Sequence, residues 1–105
     1  MTQTAGQKRK ALTPDAEQAW RAFSKTVFTA GELDVKTKQL IAVAVAHVTQ
    51  CPHCIDGHVP AAKRAGATPG QVMEAIWVAA EMRAGGAVAH SQRALEIYAD
   101  TSGGE

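Results

Sequence analysis

Two cysteines and a histidine stand close together in the stretch CPHCIDGH, where Cys51 and Cys54 are three positions apart and His58 follows four positions later. In a helix, these spacings bring the three side chains to one face. Pro52 suits the first position of a helix, so Cys51 becomes its N-cap and Cys54 lies in the first turn. A helix N-terminus stabilises a thiolate, and a nearby histidine can take up the thiol proton. The pattern therefore predicts a reactive dithiol with a base beside it.

The same residues are compatible with other kinds of site. A c-type haem attachment requires CxxCH, and Ile55 stands where that histidine would be. A thioredoxin-like domain places its CxxC beside a sheet, and only residues 40–46 alternate as a strand would. A zinc site remains an alternative, with Cys51, Cys54 and His58 as three ligands. The histidines that could supply a fourth ligand are His53, His47 and His90.

The size and charge of the chain narrow the classes of function. Its 105 residues suffice for one domain, and 11 basic against 10 acidic residues give a formal net charge of +1. This balance predicts neither a nucleic-acid surface nor a polybasic membrane surface. No apolar run is long enough to span a bilayer, and the first residues lack the apolar stretch of a secretion signal. We therefore expect a cytoplasmic protein, in which paired cysteines are more often catalytic or metal-binding than structural.

The first half of the chain predicts two helices. Residues 1–12 are expected to form a loose N-terminal arm. A first helix over 13–31 has Thr13 as its N-cap and Gly31 as its stop. An apolar stripe along it is expected to face the core: Ala16, Trp20, Phe23 and Val27. A second helix over 33–50, capped by Asp34, contains an apolar run without a polar face, so we expect it to be central and buried on most sides.

The second half predicts three further helices. The third runs from Pro52 to Gly66, and Pro60 is expected to kink it. The fourth opens with a capping box of Thr68 and Gln71, and Gly85-Gly86 is expected to break it. A last helix over 87–99 should direct three apolar side chains inward: Val88, Leu95 and Tyr98. The expected fold is all-α, a single domain of about five helices over 13–100, with a frayed tail over 101–105.

Three stretches together resemble the AhpD-like branch of the carboxymuconolactone decarboxylase superfamily. They are LDVKTKQLIAVAVA, CPHCIDGHVPAAKRAGAT and EAIWVAAEMRAGGA, and the resemblance runs from about Leu33 to Tyr98. The family pattern is Glu, eleven residues, Cys, two residues, Cys, three residues, His. Cys51, Cys54 and His58 match it. His53 matches a histidine often found between the cysteines.

The resemblance implies an all-α fold that assembles as a homo-oligomer, a trimer or hexamer, and a thiol-dependent peroxidase or disulfide reductase. It implies that Cys54 attacks a hydroperoxide, that Cys51 then condenses with it to a disulfide, and that His58 relays protons. Helix position alone would make the N-cap Cys51 the more thiolate-like residue. No bound metal or organic cofactor is implied. The reductant would be an external thiol, a lipoylated protein or a small dithiol.

One position departs from the family pattern. Gln39 stands where the family glutamate is expected, twelve positions before Cys51. Glutamine cannot take up a proton, although it can orient a water or His58 by hydrogen bonding. Glu81, among apolar neighbours, is a candidate to replace the missing carboxylate if it is buried and paired, and otherwise lies at a solvated helix edge. His90 is a candidate wall residue of the site or a surface histidine, and His47 is interpreted as a core histidine with its hydrogen bonds satisfied.

Two other functions stay open from the sequence. One is a non-enzymatic module that binds zinc or senses redox state through the cysteines. The other is a lactone decarboxylase or hydrolytic relative in which the cysteines are incidental. The decarboxylases of the superfamily generally lack the CxxC pair, so the resemblance favours redox chemistry.

Overall fold

A computed structural model describes residues 2–101, and within that range it contains five α-helices and no strand. The all-α prediction is confirmed. Of the expected tail over 101–105, residues 102–105 lie outside the described residues. The helices are α1 (Ala5–Leu12), α2 (Pro14–Phe28), α3 (Val35–Thr49), α4 (Pro52–Arg64) and α5 (Pro69–Asp100).

The prediction of a loose N-terminal arm over residues 1–12 is wrong for residues 5–12, which form α1. Thr4 and Gln7 make a capping box, in which the Thr4 hydroxyl accepts from the Gln7 amide and the Gln7 side chain accepts from the Thr4 amide. The Arg9 guanidinium donates to Glu17 of α2, which also accepts from Arg21 at 2.9 Å. The hydrogen bond from Arg9 lowers the pKa of the Glu17 carboxyl below its usual value. A local cap and one ion-pair cluster therefore stabilise a helix in a polar segment.

Helix α2 begins where the sequence predicts, but its cap and its packing differ from expectation. The Thr13 side chain makes no capping bond; its carbonyl accepts the first helical bond, from Glu17 N at 3.0 Å. The apolar stripe is exposed rather than buried, with Trp20 62% and Phe23 60% accessible and their rings 5.9 Å apart. Periodicity identifies which face of a helix is apolar, and it does not say what covers that face.

The described residues divide into two compact units, with the division between Val35 and Lys36. The sequence predicted a single domain over 13–100. The first unit contains α1 and α2, and the second contains nearly all of α3 together with α4 and α5. No helix in the described part of the chain is long and apolar enough to cross a membrane.

The core of the second unit is small. Its buried cluster consists of Val43, Ala62 and Ala67, against which four partly buried side chains pack: Leu40, Val59, Val72 and Ile76. The expectation that α3 is buried on most sides is wrong for this chain. Ile41 and Val45 remain 47% and 52% exposed, because α4 and α5 cover the opposite face.

Helix α5 is continuous over 32 residues, so the expected break at Gly85-Gly86 is wrong. A glycine within a helix costs about 1 kcal/mol relative to alanine, which good helix formers on both sides offset, and no proline interrupts the run. The capping box of Thr68 and Gln71 is confirmed. Beyond Gly86, the side chains expected to point inward are exposed: Val88 by 72%, Leu95 by 70% and Tyr98 by 81%.

Candidate active site

The connection between α3 and α4 places Cys51. Gln50 follows the last residue of α3 in the left-handed region, with φ of 56°. This turn lets the Cys51 amide donate to the Ala46 carbonyl at 3.1 Å, the longer hydrogen bond of a Schellman ending. The Arg83 guanidinium of α5 donates to the Val48 carbonyl at 3.0 Å, which satisfies another terminal carbonyl of α3. The end of α3 is therefore fixed from two sides.

Replacing Gln50 with glycine should raise the free energy of unfolding by about 0.5–1 kcal/mol, because a side chain in the left-handed region is strained and glycine is not. Helix α4 supplies the matched control. It ends on the same motif, with Gly66 at φ of 99° and the Ala67 amide donating to the Ala62 carbonyl at 2.9 Å. Gly66→Gln should lower the free energy of unfolding by a similar amount. Urea unfolding of both variants measures these changes. If the two substitutions changed the free energy of unfolding in the same direction, the strain argument would be contradicted.

The cysteine pair caps α4 as the sequence predicts. Cys51 is the N-cap, Pro52 occupies the first helical turn, and the Cys51 sulfur accepts from the Cys54 amide at 3.2 Å. The two sulfurs are joined as a disulfide, with Cα atoms 5.2 Å apart. Both side chains are partly buried. The pair can therefore cycle between dithiol and disulfide within one helical turn. The helix continues through Pro60, which keeps His58 in register with the cysteines.

Gln39 of α3 positions His58 of α4. The Gln39 side-chain oxygen accepts from Nδ1 of His58 at 2.8 Å, and Gln39 is the single buried polar residue in the described part of the chain, at 8% exposure. An amide oxygen can only accept, so in this pair Nδ1 carries a proton and Nε2 of the neutral ring keeps the lone pair. His58 lies one turn after Cys54 on the same helix. The arrangement thus holds an imidazole base in a fixed tautomer one helical turn after Cys54.

The other candidate residues are exposed. Glu81 is exposed on α5. Of the two settings that the sequence left open for Glu81, the structure shows the solvated helix edge: Ala80 and Met82 beside it are exposed too, although Ala79 is buried. His53 is exposed on α4, and His90 is exposed and bonds only locally, through Nδ1 to the Gly86 carbonyl at 2.9 Å.

His47 has the satisfied hydrogen bond that the sequence suggested, with Nδ1 donating to the Val43 carbonyl at 2.8 Å. It is partly buried and lines a cavity between the end of α3 and the first two turns of α4, together with residues that the sequence reasoning did not single out: Gln50, Pro52, Ile55 and Asp56. Their proximity in sequence to Cys51 was the signal available. In the described range, no three histidines, cysteines or acids are grouped so that they could hold a metal ion.

Comparison with known proteins identifies relatives of this chain. The model of the carboxymuconolactone decarboxylase family matches residues 14–96. The Paracoccus denitrificans protein called "Uncharacterized protein 4 in cox locus" is 63% identical over 87 residues, which cover 83% of this chain and 78% of that protein. An uncharacterized protein of Haemophilus influenzae is 41% identical over 85 residues, covering 81% of this chain and 75% of that protein.

Solved structures show the same fold. A protein from Methanobacterium thermoautotrophicum has a TM-score of 0.72 and 34% identity, covering 76% of this chain and 90% of its own. A carboxymuconolactone decarboxylase family protein from Legionella pneumophila has a TM-score of 0.70 and 30% identity, covering 90% of this chain and 85% of that protein. A third protein of this family, from Thermotoga maritima, has a TM-score of 0.61 and 25% identity, covering 86% of this chain and 96% of that protein. Its involvement in an antioxidative response has been suggested. The chain belongs to the carboxymuconolactone decarboxylase family.

Proposed function

We propose that the protein is a thiol-dependent peroxidase and disulfide reductase of the AhpD-like type that reduces organic hydroperoxides through Cys51 and Cys54. The observation that carries this proposal is the combination of a disulfide-forming pair at the start of α4 with a histidine oriented by Gln39 one turn later. The suggested antioxidative role of the Thermotoga maritima relative is consistent with it.

In the first step, the Cys54 thiolate attacks the terminal oxygen of the hydroperoxide. The O–O bond breaks, Cys54 becomes a sulfenic acid, and the alkoxide leaves as an alcohol after taking a proton. His58 accepts the thiol proton through Nε2 and returns it to the leaving oxygen. The hydrogen bond from Nδ1 to Gln39 keeps the ring oriented through both transfers.

In the second step, Cys51 attacks the sulfenic sulfur of Cys54, the S–O bond breaks and water leaves. The disulfide that results is the state in which the structure holds the pair. Two equivalents of an external thiol, or one dithiol such as a lipoyl group, return it to the dithiol. The chemistry requires no metal or organic cofactor, because sulfur itself carries both electrons.

We also propose that several copies assemble into a trimer or hexamer. Few large apolar side chains are buried within the described chain, and many are exposed, among them those on the stripe of α2 and along both halves of α5. An exposed apolar surface on this scale is typical of an interface. The proposal further places the protein in the cytoplasm, where thiol donors keep such a pair reduced.

The proposal is tested by rapid-quench intact mass after mixing fully reduced, chelator-treated protein with one equivalent of cumene hydroperoxide. We expect loss of two hydrogens at least about 100-fold faster than free cysteine reacts at the same pH, the lower range of what a positioned acid–base contributes. Oxidation no faster than that of free cysteine would contradict the peroxidase proposal. The pair would then act as a redox sensor or as metal ligands.

A further inference from the structure

A cavity of about 380 Å³ lies between the second half of α4 and the start of α5. Neither cysteine is among the described residues that line it, and none of those residues takes part in the proposed reaction. A volume of this size is within the range of small-molecule sites. The two helices and the connection between them supply its lining: Val59 and Lys63 of α4, Ala67 of the connection, and Pro69, Val72 and Met73 of α5.

The inner wall of this cavity belongs to the core of the second unit. Ala67 is one of the buried core residues, and Val59 and Val72 pack against them. The connection that carries Ala67 is fixed by the bond from its amide to the Ala62 carbonyl at 2.9 Å. Folding of the unit therefore sets the shape of this wall before any ligand arrives, which reduces the ordering that binding requires.

The chemistry of the lining is apolar with one positive charge. Five of the six lining residues have no polar side-chain atom, and the sixth, Lys63, is exposed and carries an ammonium group with three donors. No acidic side chain is among the described lining residues, so none of them opposes this charge. An apolar volume with a single cation fits an amphipathic anion.

The ends of the two helices add to this preference for negative charge. Pro69 is the first residue of the 32-residue helix α5, so the cavity lies beside the N-terminus of that helix, which carries a partial positive charge. The end of α4 carries the opposite partial charge. It is reduced because the Gly66 and Ala67 amides donate to two of the last carbonyls, at 3.0 and 2.9 Å.

We propose that this cavity binds a medium-chain aliphatic carboxylate, with its chain against Val59, Val72 and Met73 and its carboxylate paired with Lys63. The proposal concerns binding alone, with no reaction at the cysteines, and it does not depend on the proposed function. Burial of the chain supplies most of the affinity, about fourfold for each methylene removed from water. The ion pair with Lys63 selects the carboxylate over uncharged molecules with the same chain.

The test follows the methionine methyl groups by NMR while sodium octanoate is added to the full chain. Met73 lines this cavity, whereas Met82 lines a different one between α3 and α5, so the two methyl groups report which cavity is occupied. Their signals are assigned with Met73→Leu and Met82→Leu. We expect the Met73 signal to shift until it saturates and the Met82 signal to stay in place. Hexanoate, shorter by two methylenes, should bind about four- to fifteenfold more weakly.

Three results would overturn the proposal. One is a Met73 signal that octanoate does not shift to saturation. The second is a larger shift at Met82 than at Met73, which would place the ligand in the other cavity. The third is a Met73 signal that moves when the protein alone is diluted but does not respond to octanoate, because a second copy of the chain would then cover the cavity.

Two neighbouring residues test the ion pair. Lys63 and Arg64 are both exposed in the last turn of α4, but of the two only Lys63 is among the described lining residues. Lys63→Gln should weaken octanoate binding by about two- to fivefold, the effect of one exposed ion pair, and the matched control Arg64→Gln should leave it nearly unchanged. 1-Octanol, which has the same chain and no charge, should bind both variants equally. Equal affinity for octanoate in the two variants would overturn the role of Lys63 and with it the selection of a carboxylate.

Discussion

Replacing Cys54 with serine should lower the second-order rate constant for hydroperoxide reduction by at least about a thousandfold, because a serine hydroxyl is not ionised near neutral pH and cannot attack the peroxide oxygen. Replacing Cys51 with serine should have a different result. Cys54 would still attack, but no second thiol would displace the hydroxyl from its sulfenic acid. Intact mass should then show one added oxygen atom in Cys51→Ser and no rapid oxidation in Cys54→Ser.

The control must separate sulfenic acid from methionine sulfoxide. Met73 and Met82 are 48% and 64% exposed and gain the same mass when oxidised. Only the sulfenic acid is reversed by a thiol reductant, so a second quench after adding the reductant distinguishes the two. If the thiol-reversible oxygen appears in Cys54→Ser instead, Cys51 is the attacking residue. That result would agree with its N-cap position and contradict the assignment implied by the family pattern.

Features determined by a few neighbouring residues could be predicted from the sequence. The capping box of Thr68 and Gln71 and the start of α4 at Cys51 and Pro52 are local, since the bonds that define them span three residues. The break at Gly85-Gly86 was predicted by the same local reasoning and is wrong. Glycine disfavours a helix by a small amount that favourable residues on either side can outweigh, whereas proline would remove a backbone donor.

Features that depend on distant residues were harder to predict. The bond between Gln39 and His58 joins α3 to α4 across 19 positions, and it was suggested only by the family pattern. Residue type also failed to predict exposure. Glu81 was a candidate for burial because its neighbours are apolar, yet in the structure Glu81, Ala80 and Met82 are exposed and only Ala79 of these neighbours is buried. The bond from Arg83 to the end of α3 carries no sequence signal, because any arginine on that face of α5 looks the same.

Replacing His58 with glutamine should lower the rate constant for hydroperoxide reduction by about 100- to 10,000-fold, the range contributed by a positioned acid–base. Glutamine can occupy a similar volume and hydrogen-bond to Gln39, but it cannot accept the proton of Cys54 or deliver one to the leaving alkoxide. Stopped-flow kinetics under pseudo-first-order hydroperoxide measure this loss. A reduction of less than about tenfold would mean that water supplies the protons and that His58 serves only to pack α4 against α3.

Gln39→Glu separates orientation from charge at the same site. Glutamate can accept the same bond from Nδ1, so orientation is kept, while a carboxylate beside the ring stabilises the imidazolium and with it the Cys54 thiolate. We expect the pH profile of the rate constant to move about one unit towards acid and the rate near pH 6 to rise. Gln39→Ala, which loses the bond, should lower the rate at every pH without moving the profile. The shift should disappear when Gln39→Glu is combined with His58→Gln, since the charge acts through the imidazole. A shift that persists in the double variant would mean that the carboxylate acts on the cysteines directly, and that the neutral amide at position 39 tunes the dithiol rather than the histidine.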